Sequence, residues 1–370
     1  MAALPAEVKH SGELLTNLLF ELDLFEQPQR DSNPCLHLER VVSLASRRWG
    51  RGAQSSEPGG SELGRRPSLG ATHRSVDLRW PGAGEGTENC LWWTASGRSD
   101  QTGPMERTDA IAVINREGER VLELARMSND ALAAPVPTCP GWDLGDLVKH
   151  LGNVYNWAGT VVAGCLQAPP GKDIERRPGG MSTPDWMADR LGRLTATLAA
   201  TPSDALIWNF GPVSPSPVDF WCRRQLHETA IHRVDAELAA GATVTALEPD
   251  LAADTVAELL MLARYAEVPP ERELAAEREL AAERAGRTSA GAKEPLPATL
   301  HLHAEDVEGA EWTIDTEAKA YARRHARSEV AIRGNAWALA RWCWGRPADG
   351  ELEIFGDPVQ ADAWRSSLVQ

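Results

Sequence analysis

Residues 221–237, WCRRQLHETAIHRVDAE, constrain this chain more than any other stretch. Glu228 and His232 stand four apart, and neighbours at that spacing share one face of an α-helix. A carboxylate and an imidazole therefore converge on one point. Two side chains make a clip, and a first-row metal takes at least one more protein ligand. The best supplier upstream is His150, inside a segment that opens with a strong helix start, TCPGWDLGDLVKHLG. The three form a 2-His-1-carboxylate set, which suits zinc and is also an iron arrangement. On spacing alone, a pair of hydrogen-bonded core histidines competes evenly with a metal site.

The pattern around the clip predicts helices. Ile111, Ile114, Gly118, Val121, Leu122 and Ala125 give an apolar stripe on a first helix of about 20 residues from Thr108. Asp143, after Pro140-Gly141-Trp142, caps a second helix running to about Gly164, with Asp146 favouring its positive end. Its stripe of Leu147, Leu151, Val154 and Val161 lies on the same side as His150, so that imidazole points inward. A third helix is expected over about 184–200, a fourth over 218–240 and a fifth over 251–266, ending before Pro269-Pro270. Four such helices form a bundle, where metal sites are built from facing side chains.

The rest of the chain reads differently. Residues 1–104 hold a long run of Gly, Ser, Arg and Pro without sustained period, which predicts mostly disorder. Met105, directly before the first amphipathic pattern, is the expected start of translation. Residues 269–296 carry RELAAE twice, a charged helix or linker without an apolar face. From Thr299 the period falls to two. TLHLHAED, EWTID, SEVAIRG and ELEIFGD are strand candidates, interrupted by the helical-looking AKAYARRHA and NAWALARWCWG. The division is thus an extension (1–104), a metal-binding bundle (105–268), a linker (269–296) and a small α+β unit (297–370).

Bulk properties exclude several classes. Of the formal charge of −15, all but two units fall after residue 104, because residues 1–104 hold 11 basic and 13 acidic side chains. Nucleic acid is a poor partner for such a surface. Cys35, Cys90, Cys139, Cys165, Cys222 and Cys343 form no C-x-x-C pair, which argues against a disulfide framework and fits a reducing cytoplasm. No run of about 18 apolar residues points to a membrane.

The phrase VPTCPGWDLGDLVKHLG, the helix with HETAIHRVDAE, and the later TLHLHA, VAIRGNAWALARWCWGR and LEIFGD resemble the mycothiol-dependent maleylpyruvate isomerase family of actinobacteria, over about 105–370. The resemblance implies a DinB-like four-helix bundle followed by a sterol-carrier-like α/β domain, one zinc per chain held by His150, Glu228 and His232, and mycothiol as the thiol cofactor. It also implies that Arg346, in WCWGR, assists the substrate carboxylates. Zinc coordination holds a thiol as its nucleophilic thiolate at neutral pH, and in the family that thiolate adds to the double bond of a small-molecule substrate before elimination returns the trans isomer. The chemistry implied is cis-trans isomerisation or thiol transfer on a small electrophile. A metal-dependent hydrolase and a non-catalytic, zinc-braced binding protein are the alternatives.

Other residues carry weaker signals. His227 precedes His232 by five, so it is no partner in an HExxH clip and reads as a neighbour of the site or a surface group. Asp235 is placed to orient a ligand, and a solvated helix face explains it equally well. His301 and His303 alternate with leucines on one strand face, with solvent exposure expected. Arg333 reads as a surface arginine, and Trp342 and Trp344 as packing residues.

Overall fold

The computed structural model describes residues 105–128, 130–171, 174–211, 216–268, 296–348 and 350–368. The expectations for 1–104 and for the RELAAE segment lie outside them. The fold is mixed α+β, with seven α-helices and a six-stranded sheet among the described residues.

The helices begin where capping residues and prolines allow. Helix α1 spans Arg107–Ala125. Helix α2, Leu144–Ala163, opens on a reciprocal capping box between Asp143 and Asp146, which satisfies two otherwise orphaned N–H groups. Helix α3, Thr183–Ala200, starts from a Ser182 cap. Helix α4, Pro217–Ala239, has Ser216 as its cap and Pro217 in its first turn, where the missing N–H costs nothing. Helices α1 and α2 each pack against both α3 and α4. Helix α5, Pro249–Leu262, lies beside them. It stops short of the expected Ala266 because Arg264 turns into the left-handed region (φ 65°) and residues 266–267 pair as strand β1.

Strands β2 (Thr299–Ala304), β3 (Glu311–Asp315), β4 (Ala320–Ala322), β5 (Val330–Gly334) and β6 (Leu352–Phe355) complete a sheet of order β1-β4-β3-β2-β5-β6. The helical reading of AKAYARRHA is corrected by β4. The Asp315 carboxylate accepts from the backbone N–H of Glu317 and Ala318, Lys319 takes a positive φ of 50°, and the chain reverses so that Tyr321 pairs with Ile314. Cross-strand pairing here overrides a favourable helix propensity. Helix α6 (Ala336–Cys343) follows β5, capped by Asn335, and α7 (Pro358–Leu368) was not foreseen in the sequence. Helix α6 packs on α5, and the Trp344 indole donates to the Thr255 carbonyl at 3.2 Å, so one continuous core joins helices and sheet. No helix among the described residues is long and apolar enough to cross a membrane.

Candidate metal centre

Helix α4 sits at the middle of the helical part with nearly every side chain buried from Val218 to Glu237, charged residues included. Buried ions persist only when paired, and here the pairs come from all sides. Arg223 forks onto Asp254 at 2.7 and 2.9 Å, and Arg233 reaches Glu117 at 2.6 Å and Glu237 at 2.8 Å. Arg224 contacts Glu258 at 2.5 Å and also pairs with Glu228.

Within this charged helix the structure brings His150, Glu228 and His232 together. His150 Nε2 lies 3.0 Å from Glu228 Oε1, His232 Nε2 lies 3.4 Å from the same oxygen, and the two imidazole rings are 4.9 Å apart. All three side chains are about 3% exposed. Burial alone would raise the Glu228 carboxyl, but the Arg224 guanidinium and the two histidines hold it well below the usual carboxylate range. It is an anion at neutral pH, ready as a ligand or as a hydrogen-bond acceptor.

Asp235 separates a metal site from a plain histidine pair. Its Oδ2 accepts from His232 Nδ1 at 2.8 Å, which leaves Nε2 turned toward Glu228 and His150. A ring nitrogen pinned by a carboxylate, with the other facing further donors, is how metal-bound histidines are oriented. The donor set fits a zinc ion: two imidazole nitrogens and one carboxylate oxygen, mutually close, with one ring's orientation fixed. Asp235 also accepts from Thr138 Oγ1 at 2.5 Å and from Arg346, through Nε at 2.9 Å and Nη2 at 2.5 Å. Burial pushes its carboxyl up, but Arg346 and His232 outweigh that and keep it below the usual range.

Arg346 thus stands beside the centre, on the loop after α6, with two of its nitrogens on Asp235 and Nη1 on the Trp344 carbonyl at 2.6 Å. The fork assigned to substrate carboxylates is occupied by a carboxylate of the protein itself. His227 is fully buried, between Asp254 (2.7 Å) and the Thr255 hydroxyl (2.8 Å), and takes no part in the set. Arg333 is half exposed and paired with Glu305 and Glu353, as a surface arginine. Trp342 and Trp344 are buried. His301 corrects the expectation of exposure: it is 4% exposed, against Glu311. Sequence reasoning missed Arg224, Glu258 and Thr138, whose link to the centre is visible only once helices pack. Asp235 was visible as the i+3 neighbour of His232.

A cavity of about 570 Å³, lined by Thr243, Asp306, Trp337 and Arg341 among others, opens elsewhere and includes none of the three clustered residues. Trp142, partly buried, lies over His150 with ring centroids 5.2 Å apart.

Residues 114–237 match the family model described as the mycothiol maleylpyruvate isomerase N-terminal domain. Among solved structures, the chain is similar to the crystal structure of the mycothiol-dependent maleylpyruvate isomerase, at 14% identity and a TM-score of 0.41, over 68% of this chain and 93% of that one. A mutant of that isomerase gives 13% identity and a TM-score of 0.40 over the same shares. No curated protein matches the chain at a significant level.

Proposed function

We propose, from the match of residues 114–237 to the mycothiol maleylpyruvate isomerase N-terminal domain, that this chain is a zinc enzyme that uses a low-molecular-weight thiol, mycothiol, for isomerisation or thiol transfer on a small electrophile. One observation carries the reading: His232 is fixed by Asp235 through one ring nitrogen while the other faces Glu228 and His150. Zinc held there supplies a positive charge that keeps a thiol ionised near neutral pH.

The chain's own residues set the conditions for that chemistry. His150, Glu228 and His232 hold the ion. Arg224 holds Glu228 in place and keeps it ionised. Asp235 fixes the His232 ring, and Arg346 with Thr138 fixes Asp235. Burial of all three ligands keeps bulk water away, which strengthens every charge interaction at the centre. Arg346 reaches Asp235 beside the centre, and we assign it the handling of a substrate carboxylate, with Asp235 as the group it exchanges against.

The same burial favours a second reading, in which the ion only braces the helices, as closed structural sites do. Turnover separates the two. Purified protein of known zinc content is assayed on maleylpyruvate and other activated cis double bonds, with and without mycothiol. Thiol-dependent turnover that disappears with zinc supports the enzyme. Full zinc occupancy without turnover or thiol binding supports the brace.

A further inference from the structure

The sheet carries a second cluster of metal-binding side chains, unconnected to the helical centre. Along β2 the strand alternation sends Leu300 and Leu302 into the core and His301 and His303 to the opposite face. Antiparallel pairing with β3 sets His303 opposite Glu311 and His301 opposite Thr313, so all four share that face. The Thr313 hydroxyl donates to the Arg324 carbonyl at 2.7 Å, pinning the chain just after β4. The next residue, His325, lies over the cluster. Three imidazole nitrogens then surround one carboxylate oxygen: Glu311 Oε2 is 2.7 Å from His325 Nδ1, 3.1 Å from His301 Nε2 and 3.7 Å from His303 Nδ1. The three ring centroids lie 4.8, 5.9 and 6.1 Å apart.

We propose that His301, His303, Glu311 and His325 form a second metal site, which takes a divalent first-row cation, zinc by the nature of its donors. Three imidazoles and one carboxylate are a four-ligand set for this ion. Donor atoms around a tetrahedral zinc with bonds of about 2.0–2.1 Å stand about 3.4 Å apart. The observed separations from the carboxylate oxygen bracket that value, and one donor atom from each residue lies within 4.8 Å of the others. Hydrogen bonding explains the cluster less well. A carboxylate oxygen offers about two lone-pair positions, fewer than the three nitrogens directed at it, whereas one cation at their centre serves all four donors.

One further feature fits an ion. Side-chain exposure rises from 6% at His301 through 23% at Glu311 and 31% at His303 to 72% at His325, which gives an ion a path from solvent and one movable ligand to close over it. The ligands come from β2, β3 and the segment after β4, so the bound ion clamps three pieces of chain that otherwise meet through backbone pairing and the Thr313 contact.

The proposal does not depend on the helical centre, and stoichiometry separates the two. The full chain, stripped with a chelator and dialysed, is titrated with Zn²⁺ by calorimetry. Cobalt(II) absorption serves as a second readout of coordination. The wild type is expected to bind two equivalents. His303→Ala/His325→Ala should bind one, and His150→Ala/His232→Ala should also bind one. If the double sheet variant fails to fold by circular dichroism, His325→Gln, at a mostly exposed position, should still weaken one of the two equivalents at least tenfold. A wild type that binds one equivalent, lost in His325→Gln but kept in His150→Ala/His232→Ala, supports the sheet site and removes the helical one. One equivalent unaffected by His325→Gln, or two equivalents kept at unchanged affinity in His303→Ala/His325→Ala, overturns the proposal.

Discussion

Asp235→Asn tests the centre at the point where its two readings diverge. The substitution keeps the shape and removes the charge that His232, Thr138 and Arg346 share. An asparagine has one acceptor oxygen, so its NH₂ must face a donor, either the His232 ring nitrogen or the Arg346 fork. Two separate costs follow. Loss of the carboxylate behind a metal-bound histidine lowers metal affinity about 10–100-fold, or about 1.4–2.7 kcal/mol. Leaving Arg346 buried without its counter-ion destabilises the fold by about 3–5 kcal/mol. The first is read by competition of protein and a chromophoric chelator for zinc at neutral pH. The second is read from urea denaturation of the zinc-free protein. Adding Arg346→Met to Asp235→Asn should recover much of the stability, because the unpaired cation is gone, while affinity stays low. Zinc affinity within threefold of wild type in Asp235→Asn would refute the orienting role and make Asp235 a counter-ion only.

Three other outcomes are expected. Glu228→Gln, which keeps the side-chain volume but not the charge, should lower the zinc content by one equivalent per chain in elemental analysis; undiminished zinc in this variant and in His150→Ala would exclude the ligand set. Arg346→Lys should retain zinc and fold while lowering turnover of a carboxylate substrate about tenfold in steady-state kinetics, since an ammonium replaces a two-point fork; unchanged turnover moves that role to another cation. Asp254 is pushed up by burial but held below the carboxylate range by Arg223 and His227, so its folded-state pKa lies under its unfolded one. Its contribution is therefore complete above about pH 4 and is lost as pH falls further. Calorimetry from pH 5 to pH 3 should show a falling Tm, with a shallower slope and a lower starting point in Asp254→Asn.

The helices were legible because their signals are local. Asp143 with Asp146 marks a start that the folded chain uses. The i, i+4 spacing of Glu228 and His232 already placed them on one face, and the inward stripe of α2 placed His150. What stayed hidden depends on partners distant in sequence. β4 holds two alanines, which are good helix formers, and pairing with Thr313, Ile314 and Asp315 on one side and with β1 on the other makes the segment a strand. The exposure expected at His301 failed for the same reason: strand alternation gives the face but not what Glu311 and His325 bring to it. Arg346 could be located by its motif, but its 111-residue reach to Asp235 could not.

Helix α4 shows why the centre lies where it does. A helix that mixes charged residues among its apolar ones ordinarily turns the charges to solvent, yet this helix is enclosed. Arg223, Arg224 and Arg233 each meet a carboxylate from another helix, and Asp235 meets Arg346 from the sheet side. Replacing such pairs with apolar residues is often neutral or stabilising in proteins, so stability alone does not account for them. Their common effect here is geometric. Arg224 fixes Glu228, and Asp235 fixes His232, so both ligands contributed by α4 are held by neighbours that are themselves held from other elements. His150 is carried by α2, whose start is set by the Asp143 cap seven residues earlier. The three donors can therefore stay converged without the ion. That preorganisation predicts that zinc-free protein keeps its helical circular dichroism and rebinds zinc without a refolding phase in stopped-flow fluorescence of its tryptophans. Loss of helicity on chelation, or rebinding as slow as folding itself, would show instead that the ion assembles the centre.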